Sequence, residues 1–306
     1  MGPRCLRGIL HDSALYATRK AWLAANALLV NRSGQVSRLS SPNVIKKAHA
    51  DYVNNGWLRE GSRLLKATKW FGVLAVLLVA TLWLVYPQPL ERDAPRDLPW
   101  QLPDYRLANT HWEVGPQGKI HTSVEHFFLE DITPDMVAWF YQQLPISTIA
   151  YKGVTYPLYH IFHPTEHGTL RVVAPAFDGT PGMATGALIA RDEWFGPYDS
   201  RGAARIIELS PSGMLAIPQF AGLKIGEVRH SFKDLNGGTA YRVDTIIGSN
   251  LPVIGRILNF YIRTWVFHPQ MLEQWQRHQV EEVASLQFFL AQIYRQRGGG
   301  QHFTLD

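Results

Sequence analysis

The chain has almost no cysteine: Cys5 is the only one in 306 residues. That excludes a disulfide scaffold and any Cys-rich zinc module. Internal repeats and low-complexity tracts are also absent, which excludes solenoids and arrays. A disordered chain is excluded by what is present, since 46% hydrophobic residues and 12% aromatics can bury a core. The body of the chain lacks a cationic excess as well. Residues 70–306 carry 18 Lys and Arg against 22 Asp and Glu, so the formal charge of +5 comes from residues 1–69, with 12 basic and 3 acidic side chains. No nucleic-acid partner is expected of a mildly acidic body.

Charge is missing altogether from Trp70 to Tyr86, a run of 17 residues. Its length is at the short end for a helix that crosses a bilayer, and Trp70, Trp83 and Tyr86 sit near its ends, where headgroups favour amphipathic rings. Lys66 and Lys69 precede it, and Pro87 and Pro89 close it. The competing reading is a buried core helix. A cleaved signal peptide is disfavoured because the run begins so far from the start. The expectation is a single-pass anchor over 70–86 with the lipid bilayer as a partner. The basic excess of arm 1–69 puts the N-terminus in the cytoplasm and the following domain on the far, periplasmic or extracytoplasmic side. Within the arm, the apolar stretch 21–30 suggests an amphipathic helix on the cytoplasmic leaflet, with a poorly ordered arm as the alternative. Five prolines in 87–105 predict an extended linker.

The domain beyond, 106–297, reads as α+β. Thr133, Pro134 and Asp135 form a helix start, followed by a short aromatic helix from Met136 to Leu144. Strands are predicted at 170–174, 187–191, 205–209, 214–218, 225–232 and 239–247, with a hairpin turn at Gly237-Gly238. From 251 to about 297, apolar residues such as Leu272, Trp275, Val283, Leu286 and Leu290 recur at helical spacing. Strands followed by a long terminal helix predict an antiparallel sheet wrapped on that helix. Residues 298–306, opening with three glycines, read as a flexible tail.

Two histidine groups carry the candidate chemistry: Tyr159-His160-Ile-Phe-His163-Pro-Thr-Glu166-His167, and His278 with Glu281 and Glu282. On a helix, His278 and Glu282 share a face, and imidazole with carboxylate is a zinc-type donor set. A solvated helix face would carry the same pair. Further ligands must come from elsewhere, with His167 and Glu193 as candidates; Glu193 reads equally as an ordinary edge-strand charge. His230, inside an alternating strand, reads by default as a hydrogen-bonded core histidine.

Several segments together resemble the diacetylphloroglucinol hydrolase family of zinc-dependent carbon–carbon hydrolases. They are Ile132–Phe140, the pattern Tyr159-x-x-Phe-His-Pro-x-x-His167, and His278-x-x-Glu-Glu282 followed by Leu286, Phe289-Leu290 and Tyr294. Ala291 stands where the family has proline, and Phe162 where it usually has tryptophan. The resemblance covers about 110–295 and implies a helix-grip, Bet v 1-like fold. It implies Zn2+ held by His167, Glu193, His278 and Glu282, with Glu166 or His163 as substitutes for Glu193. It further implies that Tyr159, His230 and Tyr241 polarise the substrate or pass it a proton. The implied activity is hydrolysis of a carbon–carbon bond in an acylated phenol or related ketone, through water activated by the metal. The alternative is a membrane-tethered helix-grip module that binds a hydrophobic ligand or lipid without catalysis.

Overall fold

In the computed structural model, the described residues are 29–30, 36–37, 68–74, 76–77, 89–220, 222–252 and 254–305. They fall into two compact units that divide after Pro87. In the first, Leu29–Val30 pairs antiparallel with Val36–Ser37, so these two residues are strand rather than part of the expected amphipathic helix. Residues 68–74 and 76–77 are helical, with Trp70, Phe71 and Leu74 exposed. No helix among the described residues is long and apolar enough to cross a membrane. The rest of the expected span, residues 75 and 78–86, and most of the arm lie outside the described residues.

The second unit holds the domain. Its elements are β1 (Asn109–Val114), β2 (Ile120–Glu125), β3 (Leu129–Glu130), α1 (Pro134–Gln143), β4 (Thr148–Tyr151), β5 (Val154–Pro157), α2 (Leu158–Phe162), β6 (His167–Ala174), β7 (Leu188–Phe195), β8 (Tyr198–Ser210), β9 (Gly213–Phe220), β10 (Leu223–Lys224), β11 (Gly226–Leu235), β12 (Gly238–Ile247), α3 (Ile254–Tyr261), α4 (Pro269–Arg295) and β13 (His302–Leu305). One antiparallel sheet runs β1-β2-β12-β11-β9-β8-β7-β6, with β3 on β12 and β10 on β9. The fold class is therefore α+β, with an antiparallel sheet and a long C-terminal helix in the helix-grip arrangement.

Local sequence explains the elements that frame the site. Thr133 Oγ1 accepts from the Met136 amide at 3.4 Å and Pro134 opens α1, as its cap sequence predicts. The 27-residue α4 is about 40 Å long at helical rise. It buries Val280, Val283, Leu286 and Leu290, and the last three with Phe140, Phe162 and Phe289 belong to the main core. The predicted helix from 251 to 297 is in fact two. A π-helical turn over Ile262–Val266 ends α3, and Pro269, which fits only a first helical turn, starts α4.

Two further expectations are corrected. The ending 298–306 is no flexible tail: β13 runs parallel to β4, and Phe303 and Leu305 are buried. Alternation of Phe303 and Leu305 with His302 and Thr304 gives the strand one dry face. The segment 89–104 has no regular secondary structure, and it is bound to the domain. Arg92 donates to Asp199, Arg96 to the His167 carbonyl and the Trp100 indole to the Ile161 carbonyl.

Candidate metal centre

Three elements converge at the site. α2 carries Tyr159, the loop after it carries His163 and Glu166, β6 opens on His167, and α4 contributes His278 and Glu282. β6 has a register irregularity between His167 and Thr169. Gly168 is needed there, because a Cβ would lie 2.9 Å from the Asp192 carbonyl oxygen. Such bulges re-aim side chains beside functional sites.

The hydrogen bonds fix which nitrogen of each histidine bears its proton. His167 Nδ1 is 2.7 Å from the Tyr159 carbonyl oxygen, an acceptor only, so Nδ1 carries the hydrogen and Nε2 is a bare lone pair. His278 Nδ1 is 2.9 Å from Glu166 Oε2, which leaves its Nε2 bare as well. Burial, with His163 close by, holds both imidazoles well below the ordinary histidine pKa, hence neutral. The two Nε2 atoms nevertheless face each other at 3.2 Å. Glu282 Oε2 completes a triangle, 3.4 Å from His167 Nε2 and 3.6 Å from His278 Nε2.

Three acceptors at these distances repel one another unless something positive lies between them. Ligands about 2.0–2.1 Å from a tetrahedral zinc are separated by roughly 3.4 Å, so the triangle fits a divalent ion. Glu282 is mostly buried, and desolvation pushes its pKa up to about 8 against the smaller opposing pull of the Arg191 charge. His167, His278 and Glu282, three of the four residues expected, thus form one candidate centre.

Glu193 is placed differently. It is buried on β7, opposite His167 in register, and β7 is an interior strand rather than an edge. One of its oxygens accepts from the Tyr159 hydroxyl at 2.6 Å and the other pairs with Arg191. Glu193 therefore neighbours the triad with both oxygens engaged. The Tyr159 ring stacks on His167 at 3.8 Å, so this tyrosine supports His167 through its ring and its carbonyl.

His163, with Glu166 and His278, forms a second group able to hold an ion, but its ring nitrogens are both engaged within the protein. Its Nδ1 accepts the amides of Thr165 at 3.3 Å and Glu166 at 3.2 Å, which puts its hydrogen on Nε2, donated to Glu281 at 3.1 Å. The ring stacks 4.5 Å from His278. Glu166 is the carboxylate behind His278: its other oxygen accepts the Gly196 amide at 2.8 Å and pairs with Arg277, which also holds Glu281. These outer partners fix the orientation of His278.

The other expected residues form a second group on the sheet. His230 Nδ1 lies 2.5 Å from the Tyr241 hydroxyl, which lies 2.6 Å from the Tyr141 hydroxyl. Burial lowers the His230 pKa to about 3 and raises both tyrosines far above their ordinary range, so all three are neutral. The His126 ring packs 4.8 Å from Tyr241, and neither of its buried nitrogens has a hydrogen-bond partner. Sequence reasoning treated Tyr141 only as an aromatic and passed over His126 and Arg191. Tyr141 lies in the helix whose start was legible, but no local pattern announces a partner 100 residues away.

No protein-family model matches the chain, and no curated protein matches it either. Among solved structures, it is similar to protein Ms6760 from Mycobacterium smegmatis at 12% identity, covering 57% of this chain and 96% of that one with a TM-score of 0.36. A START superfamily protein from the same organism shows 15% identity, 55% and 98% coverage and a TM-score of 0.34. Ara h 8.0201 shows 7% identity, 60% and 99% coverage and a TM-score of 0.31. The fold assignment rests on the strand order and terminal helix above, and not on these distant likenesses.

Proposed function

We propose that the domain is a helix-grip module that takes a small hydrophobic or phenolic molecule, and that it holds a divalent metal, zinc by its donor set, at His167, His278 and Glu282. One observation carries the metal: both Nδ1 atoms are committed to acceptors, so two bare Nε2 atoms face each other at 3.2 Å with no hydrogen between them, beside the Glu282 carboxyl. A metal there would supply a Lewis acid able to polarise a carbonyl or acidify a water. Hydrolysis of an acylated phenol or related ketone is the reaction we assign to it, following the resemblance of 110–295.

The chain's own groups suit that reaction. Tyr159 braces His167. The neutral Tyr141–Tyr241–His230 chain holds mobile protons and can pass one to or take one from a bound molecule. The alternative, a binder without catalysis, uses the same fold and leaves these groups as internal hydrogen bonds.

Metal analysis of the purified chain, paired with a turnover screen on acylated phenols, tests both readings. One zinc per chain and chelator-sensitive release of a carboxylic acid, both lost in Glu282→Ala, are the expected results. Retained affinity for an apolar phenol with no metal and no turnover would leave only the binder.

A further inference from the structure

Away from the metal centre, α3 is amphipathic the wrong way round. The residues it buries are Gly255 and Asn259, while Ile254, Ile257 and Phe260 are 63%, 69% and 55% exposed and Trp265, just beyond, is 71% exposed. The polar side anchors the helix. Asn259 Oδ1 accepts the Ser249 amide at 2.7 Å, and its Nδ2 donates to the carbonyls of Gln117 and Ser249 at 3.1 Å each. Gly255 allows the close approach, since a Cβ there would sit 3.0 Å from the Ser249 carbonyl oxygen. Of its apolar residues Leu258 packs partly against the core, but Ile254, Ile257 and Phe260 face outward and gain nothing in water.

The exposed apolar surface extends past the helix. Phe220 and Leu223, at the junction of β9 and β10, are 62% and 51% exposed. Leu223 shares a cleft with Lys119, Lys224, Asn250 and Leu251, which joins this tip to the approach to α3. Charge around the crest has one sign. Residues 245–272 include no Asp or Glu but do include Arg256 and Arg263, and Lys119 and Lys224 flank the cleft. Its one carboxylate, Glu227, is paired with Arg229 at 3.1 Å.

We infer that this face docks on the surface of an anionic lipid bilayer, with Ile254, Ile257, Phe260 and Trp265 entering the headgroup region and the four cations meeting lipid phosphate. Aromatic and aliphatic side chains beside Lys and Arg are the composition of an interfacial helix. A second copy of the chain is the poorer occupant, because a two-fold contact would bring the same cations against themselves. This contact is independent of the residue 70–86 run and of the metal centre.

The test uses the full chain with vesicles of phosphatidylcholine alone or mixed with phosphatidylglycerol, read by amide hydrogen exchange over 254–266. The readout is local, so attachment through another segment does not imitate it. Exchange should slow by about tenfold or more on anionic vesicles and less on neutral ones. Ile257→Asp should abolish the slowing, and Arg256→Glu should remove only the difference between the two vesicles. Both side chains are exposed, so the melting temperature should hold; if Ile257→Asp fails to fold, the Arg256→Glu arm decides. Unchanged exchange on both vesicles overturns the inference. So does slowing that follows protein concentration without lipid, which would identify a second copy of the chain as the occupant.

Discussion

The domain buries two polar groups that differ in one respect. The Tyr141–Tyr241–His230 chain can be protonated consistently in either direction, with the Tyr241 oxygen donating once and accepting once each way. The His167–His278–Glu282 group cannot. Its imidazole hydrogens are spent on Tyr159 and Glu166, and the only proton left to add goes on Glu282, whose pKa burial pushes up to about 8. The first group completes itself from within the chain. The second is complete only with a cation, and that dependence separates a binding centre from a buried network.

The largest effect expected breaks this contrast at Glu282. Its folded pKa of about 8 lies above the ordinary 4.5, so in the metal-free chain its own contribution to stability is greatest at low pH. The chain should lose up to several kcal/mol as the pH rises through about 8. Glu282→Gln removes that titration. Without metal at pH 9, the variant should therefore be the more stable protein in urea. With zinc the gap should narrow, since saturating metal at a hundred times its Kd adds about 2.7 kcal/mol to the chain that binds it. Denaturation curves with and without chelator at pH 5 and 9 check both signs. An Ala at His278 should abolish stoichiometric metal outright.

A smaller effect sharpens the outer layer. Glu166→Ala leaves His278 Nδ1 without its acceptor and should weaken metal binding by about 10–100-fold. Glu166→Gln, which keeps an acceptor oxygen, should weaken it less. Competition with a chromophoric chelator measures both.

What the sequence disclosed follows from how local each signal is. His278 and Glu282 were legible because one helix turn puts them on one face, and the strands 225–232 and 239–247 because their alternation survives to the burial pattern. The cap at Thr133 was legible for the same reason. Glu166 and Glu193 illustrate the limit: their chemical types were visible, but their tasks depend on Arg277, Arg191 and Tyr159, brought in by pairing across the fold. The strands β1, β2, β4 and β5 escaped notice because short, mixed sequences carry little periodicity. Strand β13 hid behind three glycines, and only its pairing with β4 makes Phe303 a core residue.

The smallest effects test the self-contained group, and they should spare the metal. Tyr241 is the middle of its chain, so Tyr241→Phe strands both the Tyr141 hydroxyl and His230 Nδ1 in a buried place, at about 1–3 kcal/mol. Tyr141→Phe removes an end, and Tyr241 can still donate to His230, so about 0.5–1.5 kcal/mol is expected. Both variants should bind zinc as the parent does, because neither hydroxyl touches His167, His278 or Glu282 in the hydrogen-bond network. Urea melts with parallel metal titrations give the comparison. If Tyr141→Phe lowered metal affinity as Glu166→Ala should, the two groups would be one network, and the distinction between a self-completing and a cation-dependent centre would fail.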